Sequence, residues 1–456
     1  MKEYQKCARE MLEFIEKSPS CFHAVANVKG LLEERGFREL NEREEWELEA
    51  GKGYYVTRND SSLIAFRLPA GDGSENSDSG TAQGVSTTQG VGTADAAAAA
   101  VAGFHIAAAH SDSPSFKVKE LPESTVEDHY VRLNTEKYGG MILSTWLDRA
   151  LSVAGRIAVK EKDRIVTKLV NVDKDILVIP NVAIHMNRDM NNGVAYNPQV
   201  DMLPLFGDCS DGKKKNGLMK RVAKAAGVKQ EDILGHDLFL YTREKGRILG
   251  ENGEFVLSPR LDDLQCVFAA VKAFSESAPE EYINVCAIFD NEEVGSGTKQ
   301  GADSTFLEDT LWRIAESLGA GRSQYLRWIA GSFLISADNA HAVHPNHPEK
   351  ADPTNRPYLN GGVVIKYHGS QKYATDALSA AHMKELCRQA DVPFQSYANR
   401  SDIPGGSTLG NISTAHVSVS SVDIGLPQLA MHSAVETGGV KDTKYAVDMF
   451  RVFYRG

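Results

Sequence analysis

The sequence contains no C-x-x-C pair. Its six cysteines, Cys7, Cys21, Cys209, Cys266, Cys286 and Cys387, are scattered over 456 residues. That spacing suggests neither a disulfide framework nor a thiolate zinc site. Cys266 and Cys286 lie in apolar runs and read as buried free thiols. Positive charge is in deficit, 50 Lys and Arg against 61 Asp and Glu. The formal net charge is −11, which argues against the basic surface that broad nucleic-acid binding requires. No apolar run is long enough to cross a bilayer. The N-terminal stretch M-K-E-Y-Q-K-C-A-R-E-M-L-E-F-I-E-K is amphipathic and rich in glutamate, so it predicts neither a signal peptide nor a transit peptide. No internal repeat is visible. The glycine-rich stretch N-R-S-D-I-P-G-G-S-T-L-G, residues 399 to 410, lacks the lysine of a phosphate-binding loop. These absences leave a cytoplasmic enzyme or binding protein, with no nucleic acid and no membrane as partner.

What is present is an ordinary globular composition, 42% apolar and 24% charged, in a chain long enough for two or three domains. Residues 3 to 17 read as a helix with Tyr4, Cys7, Met11, Phe14 and Ile15 on one face. S-P-S at 18 to 20 breaks it, and a second helix runs from His23 to Arg35. G-Y-Y-V-T-R and S-L-I-A-F-R-L read as a hairpin. Residues 70 to 103, poor in bulky apolar side chains, predict a low-complexity, largely disordered surface insertion. F-H-I-A-A-A-H, residues 104 to 110, predicts a buried strand.

Residues 115 to 252 then alternate strand-like runs with loops: F-K-V-K, H-Y-V-R-L-N-T, R-I-V-T-K-L-V-N-V and I-L-V-I-P-N-V-A-I-H. They also carry the lysine run Lys213 to Lys215. From Ser258 helices alternate with buried strands, as expected of a sheet covered on both faces. The expected fold is thus α/β, a sheet sandwiched by helices. Residues 1–113 and 254–456 would form one domain, interrupted by a β-rich segment at 114–253.

Three of the buried strands end in potential metal ligands. F-H-I-A-A-A-H-S-D ends with His110 and Asp112, A-I-F-D-N-E-E with Glu292 and Glu293, and F-L-I-S-A-D with Asp338. Ligands of open α/β sheets bind beyond the carboxyl ends of strands. Asp262, in S-P-R-L-D-D-L, and His432, in P-Q-L-A-M-H-S-A, complete a nitrogen and oxygen donor set. Such a set suits zinc, manganese or cobalt. Each residue has a plainer reading: His110 as a core histidine, Asp262 or Asp338 as a helix cap, the glutamates as solvated loop charges, His432 as a loop residue. Asp112, two positions beyond His110, would share its face if the strand persisted and could orient its imidazole. Adjacent glutamates can serve one site only where the backbone turns irregular, with Gly295 and Gly297 easing that turn. H-A-V-H-P-N-H, with histidines at 341, 344 and 347, is a polar loop or a weak metal motif. W-L-D-R at 146 to 149 reads as packing and an ion pair.

These stretches, with S-P-S-C-F-H-A-V, I-P-N-V-A-I-H-M and S-A-D-N-A-H-A-V-H-P-N, resemble in order and spacing the aspartyl aminopeptidase family of co-catalytic zinc metallopeptidases, in its bacterial form. The resemblance implies a mixed-sheet, zinc-exopeptidase-like catalytic domain, with the β-rich segment as a dimerisation domain. It implies two divalent metal ions, zinc or else manganese or cobalt, held by His110, Asp262, Glu293, Asp338 and His432, with Asp262 bridging. It makes Glu292 the general base acting on a metal-bridging water; Asp112 is the second catalytic candidate. It points to His185 as a substrate contact delivered to a neighbouring subunit, and to Lys366 and Tyr373 as residues recognising an acidic side chain. The implied substrates are peptides with a free N-terminus, with Asp or Glu preferred, and the implied assembly is a homododecamer built from dimers. P-G-G-S-T departs from the pattern, with Gly405 where some relatives carry Cys. A metal-dependent deacylase or carboxypeptidase, or a non-catalytic assembly protein of the same fold, are the alternatives.

Overall fold

The computed structural model describes residues 1–70, 101–210 and 217–455. Residues 71–100 of the expected insertion and the Lys213 to Lys215 run lie outside the described residues. The N-terminal helices span Lys2–Glu16 and Cys21–Glu34. The expected hairpin pairs Gly53–Arg58 with Ser62–Arg67 in antiparallel register.

The main sheet has nine strands. From one edge they are Arg38–Glu39, Gly53–Arg58, Ser62–Arg67, Tyr282–Phe289, Gly103–His110, Phe333–Ala337, Ser420–Gly425, Val363–Tyr367 and Phe394–Ala398. It is mixed. Tyr282–Phe289, Gly103–His110, Phe333–Ala337 and Ser420–Gly425 run parallel, while Ser62–Arg67 and Val363–Tyr367 join antiparallel. Side chains alternate between two separate cores. Ala107 and Ala109 enter one, with the helices Lys2–Glu16, Leu261–Ser275 and Asp442–Phe453. Phe104, Ile106 and Ala108 enter the other, with Phe306–Ser317 and Arg322–Gly331. A strand buried on both faces must be apolar throughout, which is why these runs were recognisable in the sequence.

A second, antiparallel sheet orders Arg164–Asn171, Leu151–Glu161, Ile233–Thr242, Ser115–Val126, Tyr130–Tyr138 and Leu205–Asp208. The helix Gly217–Ala226 contributes to its core. Residues 176 to 185 do not form the strand their composition suggests. Only Leu177 and Val178 make bridging pairs, with Leu151 and Leu205, before Pro180 and an exposed loop. Proline supplies no N–H to continue a ladder.

A third sheet orders Arg247–Leu249, Phe255–Ser258, Glu436–Gly439, Pro427–Leu429 and Ala340–His341, strands that adjoin Asp262, His432 and Asp338 in the chain.

Candidate metal centre

The parallel strands Tyr282–Phe289, Gly103–His110 and Phe333–Ala337 are neighbours, and Phe289 pairs directly with His110. Their carboxyl ends therefore open on one rim. His110 is the last residue of its strand and is buried. Its Nδ1 lies 3.1 Å from the Asp112 carbonyl oxygen, which leaves Nε2 facing Asp262 Oδ1 at 3.4 Å. The other oxygen of Asp262, Oδ2, lies 3.4 Å from His432 Nε2. His432 Nε2 is also 3.4 Å from Glu293 Oε2. His432 sits in left-handed backbone (φ +66°), and its Nδ1 lies 2.7 Å from the Gly140 carbonyl oxygen. Asp262 lies at the start of Leu261–Ser275 with non-helical φ and ψ. Its carboxylate thus faces two histidines rather than serving only as a cap.

The adjacent glutamates occupy a single irregular turn. Asn291 (φ +63°), Gly295 (φ +97°) and Ser296 (φ +60°) bracket the short 3₁₀ turn Glu292–Val294. Gly297 is not among the positive-φ glycines, so Gly295 provides the expected relief and Gly297 does not. The strand ends at His110, so Asp112 does not sit in strand register with it. Asp112 Oδ1 instead accepts the Glu292 backbone N–H at 3.2 Å, and Oδ2 accepts the Glu293 N–H at 3.2 Å and the Tyr138 hydroxyl at 2.7 Å. Tyr138 in turn accepts the Asn291 side-chain amide at 2.9 Å.

Potential donors fall into overlapping groups, each with its ligand atoms within 4.8 Å: His110, Asp262, Asp263 and Asp338; Asp262, Glu293 and His432; and His110, Glu292 and Glu293. The first two share Asp262. The residues anticipated from sequence as ligands and base therefore converge. Lys366 is buried, with Nζ 3.8 Å from Asp338 Oδ2 and 5.5 Å from the centre of the buried Tyr373 ring. A cavity of about 250 Å³ lies beyond, lined in part by His341, Tyr397, Asn399, Arg400 and Gly405. A Cβ at Gly405 would collide with the Asn399 amide, so a larger residue there would have to displace that side chain. His185 lies in an exposed turn and is in none of these donor groups. His344 and His347 belong to a surface loop, where His347 pairs with Glu349 at 3.2 Å. In W-L-D-R, Trp146 is core, Arg149 pairs with Glu244, and Asp148 accepts the Asn181 backbone N–H.

The donor set fits divalent cations. For ligands about 2.0–2.1 Å from a tetrahedral metal, donor atoms should lie roughly 3.3–3.4 Å from one another, as His110, Asp262, His432 and Glu293 do at 3.4 Å. Asp262 Oδ1, Asp263 Oδ1 and Glu293 Oε1 are buried and lack hydrogen-bond partners. Burial, reinforced by neighbouring carboxylates, raises the pKa of Asp338 to about 6 and that of Glu292 to about 8. Burial also acts to raise Asp262, but the adjacent imidazoles of His110 and His432 hold it well below the usual carboxylate range. Five carboxylates crowded out of water call for positive charge.

Three participants were missed in the sequence. Asp263 accepts the His110 backbone N–H at 3.2 Å. Tyr138 anchors Asp112. Glu436 accepts the backbone N–H groups of Asp262 at 3.1 Å and His432 at 2.8 Å. The signals were the doubled aspartate of L-D-D-L and the glutamate four residues after the histidine in H-S-A-V-E.

The family model Aminopeptidase I zinc metalloprotease (M18) matches residues 14–79 and 93–454. The chain is 49% identical over 457 residues, with full coverage of both chains, to a probable M18 family aminopeptidase 2 of Clostridium novyi (strain NT). The cryo-EM structure of the Ape4 and Nbr1 complex superposes with a TM-score of 0.90 at 36% identity, covering 99% of this chain and 86% of that one. The S. cerevisiae mApe1 dodecamer superposes at 0.81 and 27% identity, covering 99% and 97%. With the donor-lined rim at the strand ends, these likenesses establish that the chain belongs to the M18 family of zinc aminopeptidases.

Proposed function

We propose that this aminopeptidase uses two divalent cations to remove the N-terminal residue of peptides with a free α-amine, preferring Asp or Glu. The carrying observation is the bridging posture of Asp262, each oxygen 3.4 Å from a different histidine. His110 and Asp338 would hold one ion, His432 and Glu293 the other, with Asp262 shared. When bound, such a pair lowers the pKa of a water and polarises the scissile carbonyl. Glu292 takes the proton of the attacking water on its carboxylate and passes it to the leaving amine. Asp112 keeps Glu292 and Glu293 in fixed relation through their backbone amides. The shared turn thereby divides the labour, with Glu293 holding metal and Glu292 moving protons.

Lys366 and Tyr373 supply the charge and wall that would select an acidic side chain, next to the cavity lined by Tyr397 and Asn399. Residues 114–253 form the dimerisation domain, and dimers assemble into a dodecamer like that of mApe1. His185 then reaches a neighbouring subunit from an exposed turn that also bears Val182, Ile184 and Met186. The six buried free cysteines suit a reducing cytoplasm. Among the described residues no helix is long and apolar enough to cross a membrane.

The test is a panel of X-peptides, free and N-acetylated, assayed with zinc, manganese or cobalt. Free peptides should be cleaved and blocked ones spared. Glu292→Gln should lose roughly 10²–10⁴ in kcat while retaining its metal. Cleavage of the blocked series, or full activity of Glu292→Gln, would overturn the mechanism.

A further inference from the structure

We infer that Glu436, which need not touch either metal, is a positioning residue that holds Asp262 and His432 in register by bridging their backbones. The inference rests on the metal-centre reading above. Glu436 opens the strand Glu436–Gly439 and pairs with Ser258 across the antiparallel ladder. From that pair the two chains diverge. One runs from Ser258 through left-handed Arg260 (φ +55°) to Asp262; the other runs back from Glu436 to left-handed His432 (φ +66°). They meet again where Asp262 Oδ2 lies 3.4 Å from His432 Nε2. Neither Asp262 nor His432 belongs to a strand, so no ladder hydrogen bond ties one to the other.

The Glu436 carboxylate spans the gap. Oε2 accepts the Asp262 N–H at 3.1 Å and Oε1 accepts the His432 N–H at 2.8 Å. Glu436 is 2% exposed. One rigid, planar group therefore fixes the separation of two donors that are distant in sequence. Asp112 likewise accepts the backbone N–H groups of Glu292 and Glu293. Between them, two carboxylates that satisfy backbone amides set the places of four side chains in the centre. Partners that orient metal ligands are worth roughly 10–100-fold in metal affinity or activity.

A change of charge near the cations must be separated from a loss of the bridge. Glu436→Asp keeps the charge but is one methylene shorter and cannot reach both amides. Glu436→Gln keeps the length but presents an NH₂ to one of the N–H groups. Zinc-loaded, full-length wild type and both variants are mixed with excess chromophoric chelator, and zinc release is followed alongside kcat, KM and the thermal unfolding of the metal-stripped proteins. Bridging predicts roughly 10–100-fold weaker zinc retention in both variants, a fall in kcat with little change in KM, and little difference among the metal-stripped proteins.

Wild-type retention in Glu436→Asp would overturn the inference, because charge alone would then suffice. So would an equal loss of stability in the stripped variants with zinc retention unchanged, since Glu436 would then be a packing residue. If Glu436→Gln fails to fold, Glu436→Asp carries the decision. If the wild type itself retains no zinc, the metal reading falls and this inference with it. If the wild type holds zinc and both variants hold it equally well, only the inference falls.

Discussion

Replacing Asp112 with asparagine tests whether the glutamate turn is held from outside the centre. The wild-type carboxylate accepts three hydrogen bonds: Glu292 N–H, Glu293 N–H and the Tyr138 hydroxyl. Asparagine has the same shape and a single oxygen. In either rotamer its NH₂ faces a backbone N–H. One charge-assisted bond is lost, worth about 2 kcal/mol, and a buried amide donor is stranded, costing about 1–2 kcal/mol more. The turn, with its three left-handed residues, would relax to give that amide another partner, carrying Glu292 with it. A displacement near 1 Å at the reacting centre costs on the order of 10²-fold in rate, or about 2.7 kcal/mol of barrier. The expected result for Asp112→Asn is therefore a kcat about 100-fold below wild type, with zinc at saturation and KM nearly unchanged. Steady-state kinetics on one good peptide substrate measures it. Tyr138→Phe, which leaves both amide bonds in place, should lose less than tenfold. A kcat for Asp112→Asn within about threefold of wild type would refute the reasoning.

Lys366→Met should lower the ratio of kcat/KM for acidic over neutral N-terminal residues by about tenfold or more, because it removes the cation beside Tyr373; an unchanged ratio in the X-peptide panel would remove Lys366 from specificity. Chelation should lower the melting temperature, since a bound ion at roughly 1,000 times its dissociation constant contributes about 4 kcal/mol; a scan showing no shift would argue against a metal in the folded state. His105 is stacked between Tyr282 at 3.8 Å and Phe453 at 4.7 Å, and burial lowers its pKa from 6.5 to about 4. Between those values the unfolded chain binds a proton that the folded chain refuses. Stability should therefore fall as pH drops from about 6.5 toward 4, by up to about 3 kcal/mol. His105→Phe should flatten that part of the wild-type curve, and parallel curves from urea titrations at several pH values would contradict the assignment.

The rim of the centre was legible because buried strands rarely end in charge. His110, Glu293 and Asp338 follow runs that are apolar on both faces, and such runs have few other readings. Asp262 and His432 were harder. Both sit in irregular backbone fixed by tertiary contacts, and they were placed by resemblance as much as by pattern. Glu436 was harder still: its place four residues after His432 was the one hint, V-E-T-G-G otherwise reads as a short strand, and its partners are backbone amides. Asp112 was noticed, but its face was inferred from a strand that in fact stops at His110. In the six-stranded sheet, Leu151–Glu161 carries Gly155 near its centre, where a Cβ would collide with the Asp237 carbonyl. That close approach suits the sheet yet weakens the alternation a reader looks for. The run at 176 to 185 erred the other way, its branched residues outweighing Pro180.

One strand of the six-stranded sheet ends inside the centre: Tyr138 grips Asp112, and the Gly140 carbonyl meets the His432 ring. Any hinge between that sheet and the nine-stranded one would therefore pull on His432 and, through Asp112, on Glu292 and Glu293 together. The two sheets have to travel as a single lever.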